Sequence, residues 1–92
     1  MEFLVEVQTS LPPDMDAERR ADLLAAEADY ARALLGRGVI SRIWRVPGRT
    51  ASVGIWVAED AAELHEHLSG LPLFPWLDIR VSALATHPFE QR

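Results

Sequence analysis

Residues 3–9 alternate in polarity, with Phe3, Val5 and Val7 on one side and Glu2, Leu4, Glu6 and Gln8 on the other. A period of two marks a half-buried strand. Pro12-Pro13 closes it, and Asp14 or Asp16 is placed to cap a following helix, with Glu18 favourable in the first turn. That helix is expected to run to about Leu35, where Gly36 and Gly38 stop it. Val39–Val46 and Thr50–Val57 are rich in β-branched and aromatic residues and are separated by the turn pair Pro47-Gly48, which predicts a hairpin. Asp60 with Glu63 reads as a capping box for a short helix carrying Leu64 and Leu68 and ending at Gly70. Two prolines keep residues 71–75 out of regular helix. A last strand spans Leu77–Leu84 with Ile79, Val81 and Ala83 on one face, and the tail from Thr86 to Arg92 is loop-like.

The order β-α-β-β-α-β predicts an α+β, ferredoxin-like fold: a four-stranded antiparallel sheet with two helices on one face. We read one continuous domain over residues 1–92, with no repeat or linker. Nothing in the chain is left to cover the other sheet face. Leu4, with Ile40, Trp44 and Val46 or else Ile43, makes that face partly apolar, so a partner subunit is expected, at least as a dimer.

The long helix carries the strongest local chemical signal. With Leu24 taken as the centre of the inner face, Ala17, Ala28, Ala31 and Leu35 fall within about 40° of it. Leu23 and Leu34 then lie about 80–100° to one side, and Asp22, Asp29, Glu18, Arg19, Arg32 and Arg37 on the far, solvated side. Glu27 falls about 60° from the centre, inside the apolar arc. Burial there disfavours the carboxylate and raises its pKa, which suits a general base near neutral pH; a salt bridge or an edge position is the plainer alternative. Arg20 lies on the same arc, either as an anion binder or as a surface arginine with its stem along the core edge. Arg42 and Arg45 are three apart on a strand and so face opposite ways, and one of them can reach a pocket and hold a carboxylate bidentately.

Composition removes several other chemistries. Lys+Arg number 9 against 14 Asp+Glu, a net charge of −5, which argues against nucleic acid as the partner. No apolar run is long enough for a membrane span, no signal peptide is evident, and with no cysteine a cytoplasmic setting is expected. His65 and His67 point to opposite sides of a helix and His87 is in the tail, so no metal site is expected. Gly36-Arg37-Gly38 precedes a strand rather than a helix, Ser52 has no matched base, and Trp44, Trp56 and Trp76 read as core or interface.

Several short segments are more telling together. Leu71-Pro72-Leu73-Phe74-Pro75-Trp76-Leu77-Asp78-Ile79 resembles the LPLFP-aromatic-hydrophobe-DI segment of muconolactone isomerases. Leu11-Pro12-Pro13-Asp14-Met15 resembles that family's LPxDM. Ile43-Trp44-Arg45 with Gly48 resembles its WR…G hairpin, Leu64-His65 with Leu68 its LHxxL, and His87-Pro88 its closing HP. The resemblance runs over almost the whole chain. It implies a ring-like homo-oligomer, decameric in relatives, and a cofactor-free proton shift on an unsaturated lactone in aromatic catabolism. Glu27 aligns with the acid of the family's long helix, which the resemblance marks as the base. The chain departs from the family where lysines are usual, at Leu24 and Ala28, and in a less polar hairpin at Thr50–Val53 and Val39–Arg42. Arg20 or Arg42 is the expected replacement cation, with Trp44 and Ser52 as further substrate contacts.

Three functions follow from these residues: lactone isomerisation with Glu27 as base; a related enolisation, cyclisation or dehalogenation on a different, less charged substrate; or a ligand-binding ring protein without catalysis. Glu27 on an apolar arc favours the first two.

Overall fold

The computed structural model describes residues 1–90. Gln91 and Arg92, the end of the expected loop-like tail, lie outside the described residues. Strands β1 (Glu2–Thr9), β2 (Ile40–Arg45), β3 (Ala51–Val57) and β4 (Leu77–Leu84) alternate with helices α1 (Ala17–Gly36) and α2 (Ala61–Ser69) in the order β1-α1-β2-β3-α2-β4. Single 3-10 turns follow at Phe74–Trp76 and Pro88–Glu90. The sheet order is β2-β3-β1-β4 with every pairing antiparallel. This is the ferredoxin-like arrangement the polarity pattern predicts.

Local chemistry explains the boundaries. Of the two candidate caps, Asp16 takes the role: its Oδ2 accepts the Arg19 N–H at 3.0 Å, a contact contributing about 1 kcal/mol. At the other end of α1, Val39 N–H bonds Leu34 C=O and Gly38 N–H bonds Leu35 C=O. Gly38 sits at φ 78°, the left-handed conformation that this helix ending requires. Asp60 caps α2 through the Glu63 N–H at 2.9 Å. The return bond of the expected capping box is displaced by one residue: Glu63 Oε1 accepts from Glu59 N–H, at 3.4 Å.

Phe3, Val5, Trp56 and Ile40 of the sheet meet Leu34, Leu64, Leu68 and Leu71 in the core. Burying each Leu or Ile side chain contributes roughly 1.5–3 kcal/mol. Two expectations are corrected here. First, the core face of α1 is centred on Leu23, Glu27, Tyr30 and Leu34, with only Leu34 fully buried, while Leu24 and Leu35 are exposed. The alanines and leucines of the helix permit two wheel orientations; packing of Leu34 into the sheet and the Tyr30 hydroxyl bond to His67 C=O (2.8 Å) select the one that puts Glu27 nearer the middle. Second, Ile40 belongs to the core rather than the open face. A β-bulge between Ile40 and Arg42 reverses the alternation of β2. Beyond it, Ile43 and Arg45 pair with Gly54 and Ser52 on the helix side, and Arg42 and Trp44 pair with Ile55 and Val53 on the open side.

Candidate active site

A cleft of about 610 Å³ opens between the first half of α1 and the tip of the β2–β3 hairpin. Thr9 and Leu11 bring β1 and its exit to the cleft, Arg20 and Leu24 come from α1, and Leu73 comes from the α2–β4 loop. Ile43, Trp44, Arg45, Thr50, Ala51 and Ser52 form the hairpin wall.

Glu27 is not itself among the residues lining this cleft. It lies two helical turns beyond Arg20 and one beyond Leu24, so the three side chains share one side of α1. Its carboxylate is half-buried, and Oε1 accepts the backbone N–H of Leu73 at 3.1 Å. Leu73 itself is buried and borders the cleft. Desolvation pushes the Glu27 pKa above its ordinary value of 4.5, and the Leu73 hydrogen bond opposes this without cancelling it. Among the described residues no Lys, Arg or His pairs with Glu27. The salt-bridge alternative for this residue therefore does not describe the structure. Oε1 is occupied by Leu73, and Oε2 has no protein donor among the described residues.

The other candidates divide between the two faces. Arg20 and Ser52 line the cleft, and the Ser52 hydroxyl makes no hydrogen bond to the protein among the described residues. Trp44 borders the cleft while its register places it with Val53 on the open face. Arg42 is not brought to the cleft. It lies on the open face with its guanidinium 4.8 Å from the centre of the Trp44 ring, a stacking contact that suits arginine. The bulge is the reason, and it delivers Arg45 to the cleft in place of Arg42. The sequence does show that the two arginines face opposite ways; it carries no sign of the bulge that decides which faces in. No local pattern marks Leu73 or Thr9 as a site residue, because each reaches the site through tertiary placement of a loop or a strand end. The histidines are engaged elsewhere, His65 against the Phe74 ring and His67 3.7 Å from Glu63. Trp56 is core, and Trp76 carries the Arg19 guanidinium 5.6 Å above its ring.

Comparison with known proteins agrees with this architecture. The chain is 45% identical over 87 residues to muconolactone delta-isomerase 2 of Acinetobacter lwoffii, covering 95% of this chain and 91% of the relative. It is 42% identical over 92 residues to the muconolactone delta-isomerase of Cupriavidus pinatubonensis, covering the full length of both. A crystal structure of muconolactone isomerase superposes with a TM-score of 0.90 at 36% identity, over 96% of this chain and 92% of that one. A 5-chloro-2-hydroxyhydroquinone dehydrochlorinase from Burkholderia phenoliruptrix shares the fold at a TM-score of 0.70 and 20% identity. With a family match extending over residues 1–90, this chain belongs to the muconolactone delta-isomerase family.

Proposed function

We propose that this protein isomerises muconolactone, or a closely similar unsaturated lactone acid, by moving one proton through an enolate, with Glu27 as the base. The observation that carries this reading is a half-buried carboxylate with no counter-cation among the described residues, held on one oxygen by the amide of Leu73, a residue that lines a cleft of ligand size. The relatives' names supply the substrate class.

The chemistry fits such a group. In the unsaturated lactone, the proton on the ring carbon gamma to the carbonyl is acidified through the conjugated double bond. Glu27 Oε2 takes that proton, and the electron pair moves through the ring onto the lactone carbonyl oxygen as a dienolate. Protonation at the alpha carbon restores the carbonyl and leaves the double bond one position along. The protonated Glu27 is a ready acid for that return, so no redox or hydrolytic partner is consumed. A raised pKa strengthens the base while keeping proton return accessible. The Ser52 hydroxyl is a donor for developing negative charge on the lactone oxygen, and the Arg20 guanidinium an anchor for the substrate's carboxylate.

The protein is proposed to act as a homo-oligomer formed through the open sheet face, one domain over residues 1–92 carrying the site. A small organic acid as substrate suits a cytoplasmic setting, and no described helix is long and apolar enough to cross a membrane. One observation favours a second reading, related enolisation of a less charged substrate: the cleft wall carries Leu24 where the family resemblance expects lysine.

Proton NMR with muconolactone in D2O tests both. Isomerised product, with or without deuterium, whose formation falls about 10²–10⁴-fold in Glu27→Gln, supports the first reading. Deuterium uptake without product supports the second. Neither exchange nor product overturns Glu27 catalysis on this substrate.

A further inference from the structure

The charged residues lining the cleft are of one sign only. Arg20 and Arg45 border it and no Asp or Glu does, in a chain whose acids outnumber Lys+Arg by 14 to 9. Of the other arginines, Arg32 meets Asp29, Arg42 lies on Trp44 and Arg19 on Trp76, while Arg37, Arg49 and Arg80 lie outside this cleft. The side chains of Arg20 and Arg45 have no ion pair, hydrogen bond or ring contact among the described residues. Arg45 reaches this side only because of the bulge between Ile40 and Arg42. In an unbroken strand the period of two would send Arg45 to the open face and Arg42 inward. Leu24, Ile43 and Leu73 give the same cleft an apolar lining, and Thr9 from β1 and Thr50 and Ser52 from the hairpin add polar residues to it.

The geometry points to Arg45, acting with Arg20, as the anion clamp of the cleft: the pair holds the carboxylate of a small ring acid whose apolar body lies against Leu24, Ile43 and Leu73. This deepens the isomerase reading of the same cleft and rests on it. The planar fork of arginine matches a carboxylate with two parallel N–H bonds, which also fixes the direction in which the ring points. The clamp makes the charge on the ligand a condition of binding, so it separates ring acids from their neutral esters and amides.

The saturated lactone acid, 5-oxotetrahydrofuran-2-acetate, has no double bond to move and serves as the probe, with its methyl ester as the neutral counterpart. Calorimetric titration is compared for the wild type, Arg45→Ala, Arg45→Lys and Arg80→Ala. Arg80 lies on the open face, paired with Glu6 across the strands, and its removal makes the same change in net charge. Arg45→Ala is expected to weaken the acid about tenfold or more while the ester changes by less than about twofold. Arg45→Lys recovers part of the loss, because charge is kept and the fork is not; Arg80→Ala leaves both ligands as they were. Unchanged acid affinity in Arg45→Ala, or equal weakening of acid and ester, overturns the clamp. Turnover keeps the two readings apart. Glu27-dependent isomerisation with acid binding indifferent to Arg45 removes the clamp alone. Acid binding that needs Arg45 in a protein whose Glu27→Gln variant retains full turnover removes the base assignment alone. A wild type that does not bind the acid removes the clamp, and one that also fails to turn over muconolactone removes the base assignment with it.

Discussion

Glu27 combines two opposing influences at a single carboxyl. Burial against the core face of α1 raises its pKa, and the Leu73 amide lowers it by less. Since the folded value lies above the ordinary 4.5, the ionised side chain destabilises the fold at neutral pH. As pH falls through the folded pKa, the native state binds the proton before the unfolded chain does, and this penalty disappears; below 4.5 both states are protonated. Glu27→Gln is therefore expected to be more stable than the wild type at pH 7, since Gln keeps an oxygen for the Leu73 N–H, and the difference is expected to vanish below pH 4.5. Chemical denaturation at the two pH values measures this. Activity has the opposite dependence, because the base is the carboxylate. The acid limb of kcat/KM should have its midpoint above 4.5, and a midpoint at or below that value would show that the group does not act as the base.

At the scale of elements, the bulge in β2 controls what the cleft contains. Just beyond it Gly54 pairs with Ile43 and lies close to the Arg42 carbonyl. A Cβ on Gly54 would stand 2.8 Å from that carbonyl oxygen and 3.5 Å from both Ile43 Cγ1 and Trp56 Nε1. Backbone cannot yield as a flexible side chain does, so Gly54→Ala is expected to cost about 1–3 kcal/mol. For a domain of this size that lowers Tm by roughly 5–20 °C, readable by thermal melting. Because Ile43 and Arg45 depend on the same bulge, the variant should also lose acid binding beyond its loss of stability. An unchanged Tm would mean the bulge adjusts freely and does not hold Arg45 in place.

The whole molecule presents an incompletely covered sheet. Leu4, Val53 and Ile55 are half-buried on the open face, and Trp44, Val57 and Leu84 are exposed beside them. Val81, on the helix side of edge strand β4, is also open, at 45%. Contiguous apolar surface of this kind favours association. Light scattering is expected to give a mass several times that of the chain, and Ile55→Lys, a change that a monomer would tolerate on a solvent-facing surface, is expected to reduce it. A monomeric mass for the wild type would overturn the oligomer proposal.

The parts legible in the sequence are those governed by neighbours along the chain. Alternation in residues 3–9 and 77–84, a cap at Asp14 or Asp16 and another at Asp60, the glycine ending of α1 and the Pro47-Gly48 turn all act within a few residues, so element order and fold class follow from them. Glu27 stood out because a carboxylate within an apolar arc is unusual whichever way the helix is turned. The rest depended on contacts distant in sequence. Alanine-rich α1 was compatible with more than one inward face, and packing of Leu34 and Tyr30 chose between them. Alternation in β2 showed that Arg42 and Arg45 oppose each other, yet an extra residue in the ladder set which one meets the cleft. Leu73 became the partner of Glu27 across 46 positions of chain, an encounter that arises when the α2–β4 loop packs beside α1 and that no local pattern encodes.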